Sequence, residues 1–87
     1  MAKSFHLNVL SPDKTMFEGN VVSLIAPAAL GYLGVLADHA PLAANLKEGK
    51  IIITKASGEK VVIDSRSAGF LQVLKNNVSV ILDGSNS

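Results

Sequence analysis

Asp38-His39 is the one place in this chain where an acid stands next to an imidazole. A carboxylate that orients a histidine makes a general base, so proton transfer is the chemistry to consider there. Neighbouring residues on an extended chain point to opposite sides, which arranges this pair poorly for that work. No G-x-S-x-G elbow supplies a nucleophile. His39 therefore reads as a turn or contact residue. His6 alternates with Phe5 and Leu7 and reads as a solvated strand position. Two histidines and scattered carboxylates give no metal-ligand spacing, so no metal and no cofactor are expected. Gly31 and Gly34 stand three apart, but no Gly-Lys-Ser/Thr follows and no helix is at hand to offer amides to a phosphate. They read as turn glycines.

Lys55, in Ile53-Thr54-Lys55-Ala56, is the remaining candidate. The stretch is similar to the hairpin of lipoyl carrier domains, in which a lysine is acylated. Thr54 stands where such a hairpin has an acid, so an ordinary solvated lysine is the plainer reading. A carrier domain acylated on Lys55 is kept as the alternative.

Around these residues the sequence is built for strands. Pro12, Gly19, Pro27, Gly31, Gly34, Pro41, Gly49, Gly58, Gly69 and Gly84 leave segments too short for helices of usual length. Phe5, Leu7 and Val9 alternate with His6 and Asn8. Met16-Phe17 follows a turn at Ser11-Pro12-Asp13-Lys14, and Val21 to Ala26 is a nearly continuous apolar run of the kind covered on both faces. Short apolar runs follow at Leu33 to Leu36 and Leu42 to Leu46. Ile51 to Thr54 and Val61 to Ile63 flank a Gly-containing turn, and Phe70 to Leu74 and Val78 to Leu82 flank Lys75-Asn76-Asn77, where asparagine tolerates the left-handed conformation. Roughly eight or nine short strands predict an all-β sandwich or barrel. The stretch from Ala26 to Ala44 reads as an irregular connection, unusually apolar and therefore resting against something.

Composition bounds the rest. The 87 residues make one domain, 1–87, and 48% of them are hydrophobic against 17% charged, the opposite of a disordered tail. A net charge of +1 with dispersed lysines offers no stripe for phosphate backbones, so no nucleic-acid partner is expected. The absence of cysteine excludes disulfides, thiolate zinc sites and a cysteine nucleophile. Neither a signal peptide nor a membrane span is legible, which predicts a soluble or peripheral protein without direct membrane insertion.

Six stretches follow one another along the chain: Phe5 to Pro12, Met16 to Val21, Gly31-Tyr32-Leu33-Gly34-Val35-Leu36-Ala37-Asp38-His39-Ala40-Pro41-Leu42, Lys47-Glu48-Gly49, Ala68 to Val73, and Asn77 to Leu82. Together, in this order, they resemble the β-sandwich domain of the epsilon subunit of F-type ATP synthases. The resemblance implies a small sandwich of about ten short strands. It also implies a non-catalytic rotor subunit, docked on γ and resting on the membrane c ring, that couples proton translocation to ATP synthesis. The localisation implied is peripheral, on the cytoplasmic face of a bacterial or organellar-type energy-transducing membrane. Carried over by position, Ser11, His39, Ala40, Pro41 and Leu42 would face γ, and Leu30, Gly31 and Tyr32 would face the c ring.

The sequence departs from the family in three places. Ala37-Asp38 replaces the usual Pro-Gly before His-Ala-Pro. Ala28-Ala29-Leu30 replaces acids and a glycine, and Tyr32 replaces a frequent acid, so the c-ring contact is expected to be drier and less charge-dependent. The C-terminal helices that block ATP hydrolysis in many members are missing after the last strand, which predicts no self-inhibition of that kind. Ile63 to Ala68 is superficially similar to an ATP-contacting stretch of those helices, but its spacing is a residue short, and Asp64 and Arg66 read as solvent-facing strand residues.

Overall fold

Period-two alternation of buried and more exposed side chains, clearest in β1, β7 and β8, fixes which face a strand turns inward. The computed structural model describes residues 3–84, and it forms β1 (Phe5–Leu10), β2 (Thr15–Ala28), β3 (Gly31–Leu36), β4 (Leu42–Leu46), β5 (Gly49–Lys55), β6 (Lys60–Ser65), β7 (Gly69–Leu74) and β8 (Asn77–Leu82). No helix occurs among the described residues. The inward residues include Phe5, Leu7 and Val9 of β1, Ile51 and Ile53 of β5, Leu71 and Val73 of β7, and Val78, Val80 and Leu82 of β8, all nearly or fully buried in one cluster.

The long strand β2 makes the sandwich. Its first half pairs with β1, from Leu10↔Thr15 to Phe5↔Val21. Its second half lies between β5 (Ile25↔Ile52) and β3 (Ile25↔Gly34). The register against β5 shifts between Val21 and Ser23, and such a bulge bends a strand, which lets β2 pass from one sheet into the other. One layer is therefore β6-β5-β2-β3, and the other is β2-β1-β8-β7-β4. β1 and β8 are parallel, and the remaining neighbours are antiparallel.

Four sequence expectations change in detail. Eight strands form where the residue pattern gave eight or nine and the resemblance about ten, and Met16-Phe17 and Val21 to Ala26, read as separate segments, belong to one strand that Gly19 does not interrupt. The Val21 to Ala26 run is not covered on both faces, since Ile25 points outward and is exposed. Most of Ala26 to Ala44 is strand, with the β2–β3 turn reduced to Ala29-Leu30. In the β7–β8 turn Lys75 carries the positive φ of 57°, not an asparagine. Asn76 is held elsewhere, its carbonyl accepting from His6 N–H and its side chain bonded to Asp38.

Candidate functional site

Asp38 and His39 sit in the link between β3 and β4, and they do not act on one another. Asp38 occupies the left-handed region at φ 61°. Asn76 Nδ2 donates to its Oδ1 at 3.0 Å, Lys3 Nζ lies 3.1 Å from its Oδ2, and its own N–H donates to Asn76 Oδ1 at 2.7 Å. The bonds from Asn76, then those from Lys3, hold its carboxyl below the ordinary aspartate value. His39 Nδ1 lies 2.7 Å from the carbonyl of Ala40, which can only accept, so the proton of that bond is on Nδ1. The imidazole thus has no carboxylate behind it, and the Asp38-His39 general base has no geometric basis. Ala40 and Pro41 are exposed beside it, and Leu42 is half-buried at the start of β4.

Ser11 opens the β1–β2 turn. Its N–H donates to Lys14 O at 2.9 Å, and its hydroxyl lies 2.8 Å from Asp13 Oδ1 and 3.1 Å from Lys14 O. The hydroxyl is thus the turn's own brace. Ser11 and His39 lie at opposite ends of the same sheet. Ser11 follows Leu10, which pairs with Ile81 near the end of β8. The His39 link is tied by Asp38 to Asn76, next to the start of β8. β1 separates them, a six-residue strand of about 20 Å.

At the β2–β3 turn Leu30 is fully exposed, with Gly31 beside it and Tyr32 61% exposed. Tyr32 stands across from Pro27, and its hydroxyl lies 3.5 Å from Lys50 N–H. Gly49 makes room for this: a Cβ there would come within 2.9 Å of Pro27 Cβ and 3.2 Å of Tyr32 Oη. That close approach is the physical content of the Lys47-x-Gly49 pattern. A shallow apolar groove under the turn, between Ala28, Leu33, Leu42 and Ala44, contains no acid, base or serine.

Lys55 is not at a hairpin tip. It stands opposite Gly58 and Glu59 at the base of the turn, with Gly58 N–H donating to its carbonyl and its Nζ 3.3 Å from Glu59 Oε1. The carrier reading loses its geometry. Among the described residues no three of His, Asp and Glu converge. Asp64 and Arg66 are exposed, as expected.

What the sequence reading missed is the pattern of outward apolar side chains. On the outer face of the second sheet, Asn45↔Phe70, Phe70↔Ile81 and Ile81↔Leu10 form a row across β4, β7, β8 and β1. Phe70 is 39% and Ile81 46% exposed. The row joins the two expected sites. Ala29 N–H donates to Asn45 O at one end, and Ser11 follows Leu10 at the other. The next row, Gln72↔Ser79 and Ser79↔Asn8, is polar. The signal was present in the chain, as Leu10, Phe70 and Ile81 occupy the positions at which the alternation asks for polar residues.

Residues 4–85 match the sequence profile of the ATP synthase delta/epsilon chain, β-sandwich domain. The chain is 40% identical over 83 residues to the ATP synthase epsilon chain of Dichelobacter nodosus, covering 95% of this chain and 57% of that protein. It is 39% identical over 82 residues to that of Leptospira interrogans, covering 94% of this chain and 63% of the relative. It thus spans about three fifths of the length of these relatives. The fold superposes on a chain of the Euglena gracilis mitochondrial ATP synthase (OSCP/F1/c-ring) with a TM-score of 0.83, at 22% identity over 91% of this chain and 50% of that one. For the central stalk and c ring of Tetrahymena thermophila mitochondrial ATP synthase the TM-score is 0.69, at 14% identity over 94% of this chain and 65% of that one.

Proposed function

The chain belongs to the family of ATP synthase delta/epsilon chain β-sandwich domains, and on that premise we propose that it is a non-catalytic rotor component joining the γ subunit to the c ring. In that place it couples proton flow through the membrane to ATP synthesis in the catalytic head. It sits peripherally on the energy-transducing membrane through the complex, on the cytoplasmic face in a bacterium.

The observation that carries this reading is the outward apolar row Leu10, Ile81 and Phe70, which ends at Ser11. Exposed apolar side chains aligned across neighbouring strands mark a surface that a partner covers. A single partner touching both Ser11 and His39 must lie along the face between them, so the outer face of this sheet is the γ side. Leu30, Gly31 and Tyr32 project from the end of the sandwich that Ser11 shares and meet the polar loops of the c ring. With Leu30 and Tyr32 carrying that contact, it depends on burial more than on charge.

The chain contains no cysteine, so one introduced thiol is unique. In the assembled complex Ser11→Cys is expected to cross-link to γ and Leu30→Cys to a c subunit. An assembled complex in which neither thiol reaches those partners contradicts the placement.

A further inference from the structure

We propose that the free edge of β6 pairs with the same edge of a second copy of this chain, antiparallel, with Val62 facing Val62 across a two-fold axis. This goes beyond the rotor role and uses the other sheet.

The phase of the β5–β6 hairpin decides which backbone groups are free. Lys55 N–H donates to Glu59 O at 2.8 Å, and Gly58 N–H donates to Lys55 O at 2.9 Å. This is a glycine bulge, with Gly58 at φ 95°. Hydrogen-bonded pairs then recur at every second position, at Ile53↔Val61 and Ile51↔Ile63. The N–H and C=O groups of Lys60, Val62 and Asp64 consequently point away from β5. Among the described residues β6 pairs with β5 alone, so those groups face outward at a sheet edge.

Edges of this kind are usually protected by proline, by a bulge or by repelling charges. β6 has no proline, and its register against β5 is unbroken from Lys60 to Ser65. Its two charges, Lys60 and Asp64, are opposite in sign and equidistant from Val62. The two-fold pairing centred on Val62 sets Lys60 of each copy opposite Asp64 of the other, twice. It also uses all the outward groups of residues 60, 62 and 64. A pairing shifted so that Val62 faces Asp64 would put Lys60 against Arg66, a like charge. The edge is therefore complementary to itself with Val62 on the axis.

The apolar side chains agree with that register. Val62, 54% exposed, continues the outward row Ile25↔Ile52↔Val62, and the pairing joins this row to its copy through Val62. On the inner face, half-buried Val61 meets Ile63 of the second copy at the rim of the core. Asp64 also lies 3.8 Å from Lys50 Nζ, and both groups are exposed, where such pairs contribute little. A contact of one strand edge is small, so the association belongs to the weak, transient class.

The test is sedimentation equilibrium of the chain up to millimolar concentration, with the fold of each variant checked by circular dichroism. Wild type is expected to show a monomer–dimer equilibrium. Lys60→Asp alone and Asp64→Lys alone each place like charges across the axis and are expected to weaken it at least tenfold. Mixing those two single variants brings opposite charges together again and is expected to restore pairing. Val62→Pro, which removes an N–H that β5 does not use, is expected to stay monomeric while folded. A wild type that is monomeric throughout overturns the proposal. So does a dimer that all these variants form equally well, since another surface would then be responsible. None of the variants lies on the sheet proposed to face γ, so γ binding is expected to survive in each, and its loss would count against the rotor placement rather than the pairing.

Discussion

Asp38 holds a backbone conformation that costs most residues about 1–2 kcal/mol, and it keeps it because its carboxylate has partners there. The departure from Pro-Gly to Ala37-Asp38 becomes intelligible at this position. The turn needs φ near 61°, glycine adopts that freely, and aspartate is among the few other residues that tolerate it. Asn76 and Lys3 then fasten the link to the β7–β8 turn and to the segment before β1. Because these bonds lower the carboxyl's folded pKa below 3.8, its contribution is fully present above that value and is lost as pH falls through the lower folded value. Asp38→Asn also tolerates the left-handed region, so it isolates the charge. Thermal midpoints measured from pH 6 down to about pH 2 should fall more steeply for wild type than for Asp38→Asn below the ordinary aspartate range. Parallel curves would show that the carboxylate's charge plays no part in the fastening.

The β7–β8 hairpin shows how an element restricts a residue that looks replaceable. Gly69 is buried, and a Cβ there would come within 2.6 Å of the backbone oxygen of Ile81 and 3.1 Å of Leu82 Cδ2. A backbone atom cannot swing aside as a side chain does. Gly69→Ala is therefore expected to destabilise the fold by about 1–3 kcal/mol, read as a lower denaturant midpoint at unchanged slope. An unchanged midpoint would mean that β7 and β8 separate at no cost. At this scale much was legible from sequence. Alternation placed Phe5, Leu7 and Val9 inward, and β-branched runs around Gly58 marked the β5–β6 hairpin. What alternation could not give is continuity. Gly19 reads as a break, but pairing with β1 runs straight through it, Leu7↔Gly19, and pairing with β3 and β5 follows beyond, which keeps β2 a single strand that serves both sheets. The Ala26 to Ala44 stretch misled for a related reason, because Gly31 and Gly34 signal turns although they lie within β3.

For the whole molecule, the resemblance singled out Ser11, His39 and Leu30 to Tyr32 as candidates, but not their arrangement. That Ser11 and His39 stand at opposite ends of one sheet, with the apolar row running from Ser11 to the Leu30 turn, depends on strand order, which no local pattern encodes. On the proposed rotor role, that face is the one that holds γ. The measurement that tests it most directly is calorimetric titration of this chain against its cognate γ subunit, with wild type and the Phe70→Ala, Ile81→Ala double variant. Both side chains are already substantially exposed, so the variant should fold as wild type does, whereas truncating central interface residues commonly costs more than about 1 kcal/mol each. The account predicts sub-micromolar binding by wild type and binding weaker by about a hundredfold in the double variant. Tight binding indifferent to the two changes would move γ off this face, and no binding of wild type to γ, alone or with the catalytic head, would contradict the rotor reading itself.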